Sequence, residues 1–182
     1  KEKTENSLQY ADILHYLGMT STALTKYAQA ETYLNQSLSI QKQISGENTA
    51  DYANTLGILG ELFNKKTDFV KSESLLMQSS TTRKKVLGEK SAEYASSLSQ
   101  IANLYQKTSR FLQALTLRKQ AMDIFKEVLG EKDESYARSV NEYAETALIL
   151  SYLDIAEIHL IKAKALYLEI YGENAIQLST LY

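Results

Sequence analysis

Gly-Glu pairs begin at Gly46, Gly88, Gly130 and Gly172, and Tyr-Ala pairs begin at Tyr10, Tyr52, Tyr94 and Tyr136, so that every step is 42 residues. A fixed period of this length means that one small supersecondary unit is used again and again, and no unit can hide its apolar face alone. The 182-residue chain holds a little over four periods. Within a period the apolar residues are spaced for helices. Leu14, Leu17, Gly18 and Ser21 recur as Leu56, Leu59, Gly60, Phe63, then Leu98, Ile101, Ala102, Tyr105, then Val140, Tyr143, Ala144, Ala147. Their i, i+3, i+4, i+7 pattern is one face of a first helix. A second series, Tyr27/Phe69/Phe111/Leu153, Ala30/Ser72/Ala114/Ala156, Leu34/Leu76/Arg118/Leu160 and Ser37/Ser79/Ala121/Ala163, marks a second helix.

Punctuation residues recur with the same period. Thr25, Thr67, Ser109 and Ser151 stand between the two helices, where a hydroxyl is expected to N-cap the second one. The periodic glycine is expected to close that helix in a left-handed C-cap. Ser7, Thr49, Ser91 and Asp133 offer caps to the first helices, with Asp51 and Glu93 near the positive end of the dipole. Gly or Ala on the first helix and Ala or Ser on the second let the two axes approach closely. The unit is a helical hairpin, and stacked hairpins share a continuous core. The chain has no proline, where ordinary usage of about 5% would give roughly nine, and this suits uninterrupted helices.

Lys plus Arg is 20 against 22 for Asp plus Glu, so no basic footprint marks a nucleic acid or an anionic membrane as partner. The absence of cysteine removes disulfides, thiolate nucleophiles and Cys-ligated zinc, and leaves the compartment open between cytoplasm and an exported setting. Cytoplasm is the working expectation. The start Lys1-Glu2-Lys3, without an initiator Met, reads as a cut from a longer chain.

Small-xxx-aromatic spacing on the first helix, with an aromatic, Ala and apolar pattern on the second, resembles the tetratricopeptide repeat (TPR) family. The period, with segments such as Tyr94-Ala95-Ser96-Ser97-Leu98-Ser99-Gln100-Ile101-Ala102-Asn103-Leu104-Tyr105 and Phe125-Lys126-Glu127-Val128-Leu129-Gly130-Glu131, is similar to the kinesin-light-chain type, which also occurs in bacterial multidomain proteins. Two features depart from the family. Thr49-Ala50, Ser91-Ala92 and Asp133-Glu134 stand where His-Pro is usual, and the family's turn glycine is replaced by Thr or Ser. Arg118 occupies a position that is apolar in the other three repeats, and is expected to snorkel. The resemblance implies an all-α fold, a right-handed superhelix of helix-turn-helix hairpins forming one domain over residues 1–182. Repeats would run at 7–48, 49–90, 91–132 and 133–174, with the start of a further helix at 175–182.

The resemblance also implies a protein-interaction scaffold in which first helices line a concave groove for a peptide or partner protein. The groove positions would be His15; Asn54, Asn64 and Lys65; Ser99, Asn103, Gln106 and Lys107; and Arg138 and Asn141. Amides can meet a peptide main chain through donor and acceptor, and Lys65, Lys107 and Arg138 can meet acidic side chains. A second surface shows by comparing repeats: Gln29, Lys71 and Gln113 become Ile155, Thr32, Ser74 and Thr116 become Ile158, and Lys65 and Lys107 become Ile149. Such a patch is expected to pack on a dimer mate or a neighbouring module, or else to be covered by a fifth repeat. Alternatively the chain is the regulatory arm of a bacterial signalling protein whose effector domain, caspase-like, kinase or DNA-binding, lies elsewhere.

Chemistry is not expected. His15 and His159 form neither a metal spacing nor a nucleophile–base pair, the Gly-Glu motif lacks a phosphate-loop context, and carboxylates are scattered. No enzyme activity, cofactor, metal, nucleic acid or membrane partner is anticipated.

Overall fold

The computed structural model describes residues 7–172, and the segment expected to start a further helix at 175–182 lies outside them. Among the described residues eight helices follow one another: α1 (Leu8–Ala23), α2 (Tyr27–Ser45), α3 (Ala50–Lys65), α4 (Phe69–Leu87), α5 (Ala92–Lys107), α6 (Phe111–Leu129), α7 (Glu134–Ile149) and α8 (Leu153–Tyr171). First helices are 16 residues long and second helices 19. Two compact units divide the chain, Lys1–Glu89 with α1–α4 and Lys90–Tyr182 with α5–α8. Each unit is two antiparallel hairpins.

In the first unit Ala30, Leu34, Leu59, Leu62 and Phe63 form one core cluster, and Ala11, Leu14 and Ile40 another. Small residues let the helices of a hairpin close up. A Cβ added at Gly18 would lie 2.5 Å from Leu34 Cγ, and one at Gly60 2.8 Å from Leu76 Cγ. Hydroxyls then reach backbone across the contact: Ser72 Oγ donates to the Gly60 carbonyl at 2.8 Å, Ser37 to Ala11 at 2.8 Å and Ser79 to Ala53 at 2.6 Å. In the second unit Ala121 and Ala163 stand where Ser37 and Ser79 do in the first, and a larger cluster joins Leu98, Met122, Phe125, Tyr136, Val140, Tyr143, Leu166 and Tyr167. Tyr171 at the end of α8 donates its hydroxyl to Glu134 at the start of α7, which pushes the phenol up to about 12.

The first-helix caps form as expected. Ser7, Thr49 and Ser91 side chains accept from Tyr10, Tyr52 and Tyr94 N–H at 3.2, 3.2 and 3.3 Å, and Asp133 accepts from Ser135 N–H at 2.7 Å. The expected hydroxyl caps of the second helices do not. Thr25, Thr67, Ser109 and Ser151 have φ of 60°, 62°, 60° and 59° and occupy the left-handed residue just past the end of each first helix. The following N–H reaches back five residues, as in Asp68 to the Phe63 carbonyl at 3.0 Å and Arg110 to Tyr105 at 2.7 Å, which closes a Schellman-type turn. The true N-cap is one residue later, and of those four residues only Asp68 caps with its side chain, accepting from Lys71 N–H at 3.1 Å. The periodic glycines also differ from expectation. Gly88 has φ 89° and ψ 166°, a mirror-extended conformation that glycine alone adopts readily, rather than the left-handed helical one.

Candidate functional site: polar faces of the first helices

In the first unit His15 on α1 is half-buried, with Nδ1 2.9 Å from Thr55 Oγ1 on α3. Thr55 spends its own proton on the Asp51 carbonyl at 3.1 Å, so the ring nitrogen is the donor and Nε2 keeps the lone pair. Burial holds the imidazole below its ordinary 6.5, against the opposing pull of Asp12 and Asp51. Asn54 Oδ1 accepts from Arg83 Nη2 of α4 at 3.0 Å. Asn64 is only 8% exposed, and its Oδ1 has no partner among the described residues. Lys65 is exposed one residue on.

The second unit is organised by Arg118. This residue does not snorkel: it is 4% exposed, held between α5 and α7. Nη1 pairs with Glu142 of α7, while Nη2 donates to Asn103 Oδ1 at 2.8 Å and Gln106 Oε1 at 3.0 Å on α5. The guanidinium fork can serve several acceptors at once, which an aliphatic stem seeking water could not exploit. Ser99, Asn103, Gln106 and Lys107 are spaced to share one helix face, with Ser99 and Gln106 half-buried and Asn103 and Lys107 exposed. On α7 Arg138 is exposed, and the Asn141 amide donates to Glu145 Oε1 at 2.7 Å, leaving Asn141 Oδ1 without a partner among the described residues.

The amides are therefore polarised. Asn54, Asn103 and Gln106 all have their oxygens turned to arginine, so what they offer outward is the NH2 group, while the Asn141 oxygen is buried and its NH2 is taken by Glu145. The structure brings Asn103 and Gln106 together with Arg118 and Glu142. The spacing of the sequence did not show this, because Glu142 lies 24 residues beyond Arg118 and carries no mark of its own. Arg83 and Thr55 were likewise unmarked. Of the second surface, Ile149 is 46% and Ile158 63% exposed, but Ile155 packs against the core of its unit.

Among the described residues no group of three or more His, Cys, Asp or Glu side chains could hold a metal ion, and no helix is long and apolar enough to cross a membrane.

The sequence pattern of the tetratricopeptide repeat family matches at residues 9–85, 52–127 and 93–167. The chain belongs to the tetratricopeptide repeat family. Its fold is similar to that of BtubC (BKLC) from P. vanneervenii, with a TM-score of 0.81 at 15% identity over 99% of this chain and 78% of that one. It is equally similar to the nearly identical TPR-like repeats of a Podosopora anserina protein assigned as a kinesin light chain, with a TM-score of 0.81 at 16% identity over 96% of this chain and 83% of the other. No curated protein matches the sequence. At these identities the solved structures show the fold: an all-α TPR solenoid of the kinesin-light-chain kind. TPR folds are generally non-catalytic scaffolds for protein contacts.

Proposed function

We propose that the polar first-helix faces of this TPR protein bind an extended segment of another protein, and that the ligand meets them mainly with hydrogen-bond acceptors. The observation that carries this is the orientation of Asn54, Asn103 and Gln106, whose oxygens are occupied by Arg83 and Arg118 so that their NH2 groups face outward. Main-chain carbonyls and carboxylates are the matching groups. The exposed cations Lys65 on α3, Lys107 on α5 and Arg138 on α7 favour acidic side chains nearby and speed encounter. Fixed amides lose little freedom on binding, because the arginines already hold them. His15 extends the face in the first unit, where Asn64 is buried, and Ser99 and Asn141 extend it in the second.

The test is selection of peptides from a random library on the intact chain, followed by titration against variants. Asn103→Asp keeps the oxygen that Arg118 needs and turns the NH2 donor into an acceptor, with the added negative charge facing the Arg118 guanidinium, so the fold survives. Affinity of peptides docked on the second unit falls at least tenfold with Asn103→Asp, corresponding to a lost hydrogen bond of about 1.5 kcal/mol. Lys107→Ala lowers it further for acidic peptides. If selected peptides bind Asn103→Asp and Lys107→Ala as tightly as the original chain, this face is not where partners are held.

A further inference from the structure

The outer face of α8 differs from its counterparts as a block. On α2 the positions are Thr32, Asn35, Ser39 and Lys42, on α4 Ser74, Met77, Thr81 and Lys84, and on α6 Thr116, Lys119, Asp123 and Lys126. On α8 they are Ile158, Ile161, Ala165 and Leu168. The change also removes charge pairing. Lys42, Lys84 and Lys126 bridge to Glu47, Glu89 and Glu131 across the hairpin junctions, and Leu168 stands at the same place with no charge. Ile158 and Ile161 are 63% and 64% exposed.

A following hairpin would not cover this stripe. α2 has both α1 and α3 packed on it, and α6 has both α5 and α7, yet all four positions of the stripe stay exposed on each. The stripe therefore lies off the faces by which repeats stack. Its three-four-three spacing places Ile158, Ile161, Ala165 and Leu168 as successive a and d residues of a two-stranded helical seam. The flanking g and e residues are Glu157 and Lys164 on one side and Lys162 and Glu169 on the other. In a parallel pair g meets the partner's e residue five further on, so Glu157 faces Lys162 and Lys164 faces Glu169, each twice by symmetry. Glu169 now pairs with Lys132 at 2.7 Å, but both side chains are more than half exposed, so re-pairing costs little.

We propose that α8 is a homodimer seam on which a second copy of this chain packs α8 to α8, parallel, through Ile158, Ile161, Ala165 and Leu168. The stripe exposes roughly 300 Å² per chain, against about 800 Å² for each side of a standard interface, which makes the association weak and concentration-dependent, on the order of 100 μM. The helices are already formed by their repeats, so a seam this short need not nucleate them.

The chain has no cysteine, so single-cysteine probes are clean. In a parallel seam residue 161 faces its own copy within the roughly 4.4–6.8 Å Cα separation that a disulfide requires. In a glutathione redox buffer Ile161→Cys forms a covalent dimer of twice 20.5 kDa at least tenfold faster than Val70→Cys, which is 84% exposed on another helix. Equal cross-linking rates overturn the proposal. By sedimentation velocity the unmodified chain gains mass between about 10 μM and 1 mM, Glu157→Lys weakens association about tenfold, and Glu157→Lys with Lys162→Glu restores it. A mass fixed at 20.5 kDa throughout, in a chain with a native melting profile, assigns the stripe to another occupant and overturns the dimer; failure of the charge exchange to restore association overturns the parallel register.

Discussion

Replacing Arg118 tests what a buried charge does for a repeat array. Arg118 is 4% exposed and its guanidinium serves Glu142, Asn103 and Gln106, while Glu142 keeps 25% of its side chain in water. Arg118→Ala deletes the hub, opens a space the size of the arginine stem and leaves a half-buried carboxylate with no cation. Breaking a buried pair from one side costs about 3–5 kcal/mol, and the partial exposure of Glu142 puts the expectation at the lower end, about 3 kcal/mol. The first unit supplies the control. One hairpin pair earlier, the same two positions are Leu34 and Ile58, which pack in an apolar cluster. Arg118→Leu with Glu142→Ile transplants that pair and removes both charges together. The double variant should lie within about 1 kcal/mol of the starting chain, since a well-packed apolar pair often equals or exceeds a buried ion pair. Urea unfolding followed by circular dichroism, with the slope checked for two-state behaviour, gives both numbers. The reasoning is refuted if Arg118→Ala costs less than about 1 kcal/mol, or if the double variant is less stable than Arg118→Ala.

Other outcomes follow from the same geometry. Gly60→Ala should destabilise by about 1–3 kcal/mol despite better helix propensity, because the new Cβ meets Leu76 Cγ and Cδ2 at 2.8 Å and the Leu76 backbone nitrogen at 3.3 Å; a stabilised melting curve would contradict it. Thr67→Gly should stabilise by about 0.5–1 kcal/mol, relief of a left-handed β-branched residue outweighing the added freedom of the unfolded chain, and differential scanning calorimetry should show a higher Tm. His15 has its pKa lowered by burial, so the unfolded chain binds the proton more tightly; its contribution is fully present above about 6.5 and is lost as pH falls below that value. Comparing His15→Gln with the original chain between pH 7.5 and about 5, the original should lose more stability, and parallel curves would refute the linkage.

Periodicity made the helices, the small residues at the hairpin crossings and all four first-helix caps plain, because each depends on neighbours within one turn. What it hid depends on backbone angle or on residues brought together from separate helices. A threonine between two helices suits an N-cap and a left-handed turn alike, and only φ 62° at Thr67 distinguishes them. Arg118 was visible as the odd residue in its column, yet its fate turned on Glu142, which α6 reaches only because α7 folds back on it. That pairing in turn shapes the proposed face: the arginine fixes which end of Asn103 and Gln106 points outward, so a residue only 4% exposed decides what chemistry the two amides offer. The same logic links stability to recognition in a way the double variant can separate. Arg118→Leu with Glu142→Ile should keep the fold while releasing both amides to rotate, and peptides chosen for acceptors should then bind less tightly although no residue they touch has changed.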